Sequence, residues 1–358
     1  MNSNSLKLLF LSTTVGPLGS GIGGGVELTL LNLTQILQKR GHKITVVAPF
    51  GSVLESVNLV NISGNLQTMA QSQTQETPIT LPANSVLENM WDYARQVQAD
   101  YDLIVNFAYD WLPLYLTPFF QTKVLHWISM GSLTTAMDEI IQRILTQFPK
   151  AISFHTQAQA ETFNFSQDRF IILKNGINID QYEYCPNPEN QLAWLGRIAP
   201  EKALEDAVSA AKQTGIPLKI MGKMQDESYW KKINHDYPDA PIEYLGFLST
   251  NELQKHLRNC RALLMTPRWI EAFGNVAIEA LACGVPVIAY RRGGPAEIVR
   301  DGETGWLVEP DSVEGLVEAI QKLDKIDRLR CREQAETEYS LEVWGDGVES
   351  WLFETLQA

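Results

Sequence analysis

From residue 8 to residue 308 the chain repeats one unit: a short apolar run, a turn rich in glycine or polar residues, and an amphipathic stretch of about a dozen residues. Four to six apolar residues bounded by turn formers read as a buried strand, and the following 3.6-residue period reads as a helix. The alternation predicts βαβ units around parallel sheets. The clearest strands of the first half are 8–12, 44–48, 103–106, 124–127, 151–154 and 170–173; those of the second are 192–195, 218–221, 262–265, 285–289 and 306–308. Each half has enough strands for its own sheet, and 358 residues exceed one ordinary core. The expected fold class is therefore α/β, two Rossmann-like domains with a cleft between them.

The stretch 178–191 carries Pro186 and Pro188 and no sustained apolar period, so it reads as a linker, with the domain boundary near Leu173. That gives domains at 1–173 and 174–340. Residues 63–82, rich in Ser, Gln and Thr, are too polar for core and long for a loop. Two readings stand: a mobile surface loop, or a loop over the substrate cleft.

Charge and cysteine usage exclude several classes. A formal net charge of −13 repels nucleic acid and anionic membranes at long range, so an anionic ligand must be held by a local cluster of cations. No stretch approaches the ~18 apolar residues of a membrane span, and residues 6–11 lack the flanks of a signal peptide. Residues 88–99 carry the single cation Arg95, against strong membrane association. Cys185, Cys260, Cys283 and Cys331 are scattered without CxxC or His spacing, which indicates neither a zinc site nor a disulfide framework and points to a reducing, cytoplasmic compartment. The oligomeric state is open.

Three motifs carry chemistry. The first strand leads into GSGIGGGVE at residues 19–27, where glycines let backbone amides approach a ligand at a helix start. Gly19, Gly21 and Gly24 fit a dinucleotide fingerprint only formally: they begin about six residues past the strand, and the second strand ends Val47-Ala48-Pro49 without an acid for a ribose. A turn at Gly24 and Gly25 that contacts donor phosphates or the acceptor, and a purely structural turn, are the remaining readings. The second motif, EAFGNVAIEALACGVP from residue 271, lies between two apolar strands. Eight residues at about 100° each set Glu279 some 80° round from Glu271, so an acid in the loop and an acid on the helix can face one ligand, with Gly274 and Asn275 offering amides to phosphate. In the third, WLGRIAPEK from residue 194, Arg197 and Lys202 can converge on a diphosphate.

These motifs, with KNGINIDQY from residue 174 and GGPAEIVRDGETGWLV from residue 293, resemble the family 4 retaining glycosyltransferases of GT-B fold. The resemblance implies two Rossmann-like domains, a nucleotide-sugar donor held mainly by the second, and a C-terminal helix at 341–358 that crosses back to the first. It implies that Arg197 and Lys202 bind the donor diphosphate, Glu271 the sugar hydroxyls and Glu279 the ribose. Phe273, Gly274 and Asn275 border that donor, and backbone at Gly246 and Phe247 takes the base. It matches His126 to an active-site histidine beside the transferred sugar. Asn178 stands where the family usually has aspartate. The stretch STTVGPLGSGIGGGVELTL also resembles the cyanobacterial pteridine glucosyltransferases, which implies UDP-glucose as donor and a reduced pterin such as tetrahydrobiopterin as acceptor. Tyr109, Trp111 and Trp127, aromatic and near strand ends, are the candidate acceptor platform. The expected activity is metal-independent hexosyl transfer to a small molecule with retention. The alternatives are a different acceptor, a nucleotide-sugar epimerase and a non-catalytic sensor.

Overall fold

The computed structural model describes residues 5–55, 57–70, 73–163, 165–166 and 168–357. It divides into two compact units, one of residues 1–176 with 341–358 and one of residues 177–340.

Among its described residues the first unit carries a parallel sheet of seven strands: β1 (Lys7–Leu11), β2 (Lys43–Pro49), β3 (Asn58–Ile62), β4 (Leu103–Asn106), β5 (Val124–Trp127), β6 (Ile152–Phe154) and β7 (Ile171–Ile172). Their order is β3-β2-β1-β4-β5-β6-β7. Along β1, Leu8 and Phe10 enter one hydrophobic core while Leu9 and Leu11 enter another. That period of two is why an all-apolar run forms a strand buried on both faces. Each strand is followed by a crossover, and the chain direction across the sheet reverses between β1 and β4. Open α/β sheets bind ligands at the carboxyl ends of such strands.

The second unit repeats the plan with β8 (Leu192–Leu195), β9 (Leu218–Met221), β10 (Ile242–Tyr244), β11 (Ala262–Met265), β12 (Val287–Tyr290) and β13 (Gly305–Val308), ordered β10-β9-β8-β11-β12-β13. Leu263 and Met265 face one core, Ala262 and Leu264 the other. The reversal falls between β8 and β11. Two strands escape the sequence pattern, β3 and β10. Both are edge strands, and none of their residues is fully buried, so they lack the apolar run that marks the central strands.

The expected linker at 178–191 is packed structure. Tyr182 is buried in the core of the second unit, and Asn178 caps a short 3-10 turn by accepting from the amide of Asp180 at 3.2 Å. Leu341–Gln357 is a helix of the first unit. Its Trp344 and Trp351 rings lie 5.8 and 5.9 Å from Trp127, and a Cβ on Gly345 would come within 2.8 Å of Ile36 on helix Gly25–Lys39. Acids one or two turns apart along that helix, Glu342, Asp346 and Glu349, meet Lys39, Arg40 and His42. No described helix is long and apolar enough to cross a membrane.

Candidate functional site

The residues of the second and third motifs gather at the reversal point of the second sheet. Arg197 and Lys202 follow β8; Trp269, Glu271 and Gly274 follow β11. The cation loop is tied to both strands through Thr266, whose hydroxyl accepts from Trp194 Nε1 at 3.2 Å and lies 2.9 Å from the carbonyls of Lys202 and Ala203. Lys202 Nζ pairs with the Glu271 carboxylate and sits 5.1 Å from the centroid of Trp269. Trp269 Nε1 donates to the same carboxylate at 3.1 Å. Arg197 spans Glu201 at 2.9 Å and Gln225.

Burial alone would push the Glu271 carboxyl up. The charge and hydrogen bond of Lys202, the Trp269 N–H and the charge of Arg197 outweigh it, and the group is held below the ordinary range, hence ionised. Glu279 has the opposite balance. It lies on helix Asn275–Ala282, is 7% exposed, and burial raises it to about 7 against the opposing hydrogen bond from the Tyr182 hydroxyl at 2.8 Å. Two acids of one motif thus hold different protonation near neutrality, because one faces a cation and the other a phenol.

Gly274 caps that helix at φ 95°, a left-handed conformation that leaves a side chain strained. A Cβ at Gly294 would stand 2.3 Å from the Phe273 carbonyl, so the next glycine-rich turn packs directly on this one. Asn275 opens the helix and is partly exposed. Phe273 does not present its ring: it is 3% exposed and lies edge-on to Tyr339, so only its backbone borders the site. Gly246, at φ 78°, accepts from the amide of Gly222 at 2.8 Å, and Phe247 beside it is 64% exposed.

Four expectations for the first unit need correction or refinement. His126 is fully buried, with Nδ1 3.2 Å from Asn106 Nδ2 and Nε2 2.8 Å from Thr117 Oγ1. The threonine proton goes to the Pro113 carbonyl, so Nε2 carries the imidazole proton and Nδ1 accepts. Burial drives this histidine down to about 3, and it is a neutral packing group with no face for a sugar. Trp127 is core, 2% exposed and stacked on Phe107 at 5.9 Å, because β5 is buried on both faces. Tyr109 and Trp111 stay at the margin: the Tyr109 hydroxyl donates to the Gly131 carbonyl at 3.2 Å, and Trp111 stacks on Tyr115 at 4.6 Å. In the glycine-rich turn, the amides of Gly19, Gly21 and Gly23 already donate to the Glu27 carboxylate at 2.8, 3.2 and 2.7 Å. Gly24 and Gly25 remain exposed at the helix start.

Sequence reasoning missed Trp269, Tyr182 and Thr266. Trp269 stands two residues before Glu271, but nothing in that spacing says that its N–H turns back. The Tyr182 contact spans 97 residues and has no local signal.

Residues 179–338 match the family described as "Glycosyl transferases group 1". An uncharacterised glycosyltransferase of Methanocaldococcus jannaschii is 34% identical over 167 residues, 46% of each chain. Glycogen synthase of Mycobacterium tuberculosis is 29% identical over 174 residues, 46% of this chain and 42% of that one. The matches thus span less than half the length of these relatives. Over the whole chain the fold is that of sucrose-phosphate synthase from Thermosynechococcus elongatus, at TM-score 0.82, 19% identity and coverage of 98% and 99%. HepE of Anabaena, solved with UDP and glucose, gives TM-score 0.77 at 17% identity, covering 98% and 100%. The fold is GT-B: two parallel-sheet Rossmann-like domains.

Proposed function

We propose that this chain is a retaining glycosyltransferase that moves a hexose from a nucleotide sugar, UDP-glucose by preference, to a small neutral acceptor held by the first unit. The observation that carries the reading is the cluster of Lys202, Arg197 and the ionised Glu271 beside the amide end of helix Asn275–Ala282, at the reversal point of the second sheet. Two cations and a helix start suit a diphosphate, and an ionised carboxylate suits sugar hydroxyls. Arg197 and Lys202 bind the departing diphosphate, Glu271 orients the hexose and Glu279 takes the ribose. Charge develops on the leaving phosphate in the transition state, so fixed cations aimed there stabilise it more than the ground state. Because the cluster supplies that positive charge, the reaction runs without a metal ion. The printed ligands of HepE, UDP and glucose, support this choice of donor.

The acceptor we propose is a reduced pterin, glucosylated on a side-chain hydroxyl. The test is NMR of the product formed from UDP-glucose with tetrahydrobiopterin, in the presence of EDTA. An α-glycoside is expected; a β-product overturns retention, and activity that needs added manganese overturns metal independence.

A further inference from the structure

In the first unit the reversal point lies between β1 and β4, and the residues beyond those two strand ends meet. Asp110, four residues past β4, has one carboxylate oxygen 3.1 Å from Gln67 Nε2 and the other 3.4 Å from Thr14 Oγ1, a long contact beyond β1. Asp110 occupies the cap position of helix Trp111–Leu116 but makes no capping hydrogen bond, so its orientation does not come from local helix chemistry. It is mostly buried, and among the described residues the groups acting on it are an amide and a hydroxyl, with no cation. Burying a carboxylate without a counter-charge costs stability, and such costs concentrate where a ligand is bound.

The polar segment 63–82 crosses the same edge. Gln71 and Ser72 lie outside the described residues, and the segment is anchored at points on either side of them. Its ends meet at the Asn65–Ser85 bridge, the Gln67 amide donates to the Thr14 carbonyl at 3.1 Å, and Gln75 accepts from the Thr135 amide at 3.2 Å. It therefore meets the chain beyond β1 at Thr14, beyond β4 at Asp110 and at the start of helix Thr135–Gln147.

The geometry points to Asp110, flanked by Thr14 and Gln67, as the residue that recognises the acceptor, by accepting two adjacent hydrogen bonds from a neutral molecule. An ionised carboxylate with no neighbouring cation takes paired donors and repels phosphate or carboxylate, so phosphorylated acceptors are rejected here. Paired donors can come from a vicinal diol or from the amino and ring N–H edge of a pterin. This inference rests on the transferase reading and names its acceptor class.

Asp110→Asn keeps the shape, removes the charge and turns one acceptor into a donor. With UDP-glucose as donor, KM is measured for 6-hydroxymethylpterin, glucose and glucose 6-phosphate, the Kd of UDP by calorimetry, and Tm. The wild type should use a neutral probe and discriminate against glucose 6-phosphate. In the variant the KM of that probe should rise about 100-fold, because a site built for hydrogen-bond donors rejects what it cannot pair. The Kd of UDP should stay within about twofold, and Tm should not fall, which a merely structural aspartate would not allow. The arm that responds, pterin or glucose, identifies the source of the donors. UDP binding retained with an unchanged acceptor KM overturns this inference alone. So does a wild type that uses neither neutral probe or prefers the phosphate. A wild type that does not bind UDP overturns the transferase reading and this inference with it.

Discussion

Lys202 meets both an acid and an indole, and the two contacts answer different questions. The ion pair keeps Glu271 charged, while the stacking on Trp269 fixes where the ammonium points. Removing the lysine should therefore do two things: take a cation from the leaving phosphate and raise the Glu271 carboxyl. Lys202→Ala and Arg197→Ala should each lower kcat/KM by about 10² to 10³ with Tm little changed, read by steady-state kinetics on folded protein. Glu279 gives a pH signature. Its carboxyl titrates at about 7, and only the ionised form accepts from a ribose diol without competition from its own proton, so UDP affinity should weaken as pH falls through 7. Tyr182→Phe removes the hydrogen bond that opposes the rise, so the midpoint should move to higher pH in calorimetric titrations. The same shifts bear on stability. Glu279 at about 7 and Asp110 at about 6 lie above their unfolded values, so the stability linked to them is complete below about pH 4 and is lost as pH rises through 6 to 7. Glu271 has the opposite sign and contributes at neutral pH, fading as pH falls. Glu279→Gln should flatten the fall in Tm between pH 5 and 8, measured by scanning calorimetry.

At the scale of elements, the C-terminal helix is the clearest case of structure decided by packing. Leu341–Gln357 holds two glycines and four acids, a weak recipe for a free helix. It is held because Trp344 and Trp351 close over Trp127, and because its acids meet Lys39, Arg40 and His42. Trp344→Ala should cost about 3 to 5 kcal/mol in denaturant unfolding, the range for a buried aromatic. Glu342→Ala, an exposed partner of Lys39, should cost under about 1 kcal/mol. Helix Asn275–Ala282 is short and depends on Gly274, whose left-handed φ would strain any side chain. Gly274→Ala should lower donor affinity by displacing the amides that start the helix.

At the scale of the molecule, each unit has its own sheet and its own cores, and ligand should act on one of them. UDP at 100 times its Kd should stabilise the second unit by about 2.7 kcal/mol. Hydrogen exchange should show that protection within residues 177–340. Protection spread evenly over residues 5–176 would contradict assignment of the donor to the second unit.

The sequence alone determined the central strands, the two-sheet plan and the two charged motifs, because each is local: an apolar run buried on both faces, Arg197 and Lys202 in one nine-residue stretch, or Glu271 and Glu279 in one sixteen-residue stretch, reads the same in any context. Edge strands such as β3 and β10 were illegible, since half-exposed residues carry no such run. The tertiary structure decided what each side chain faces. His126 and Trp127 looked available at a strand end and proved to be interior, while Tyr182 came across 97 residues to Glu279 and Gln67 across 43 to Asp110. Periodicity fixes which face of an element is apolar, but the partner on that face is set by how distant segments pack. For that reason the function class was visible in the motifs, and the partners of the acids became visible only in the fold.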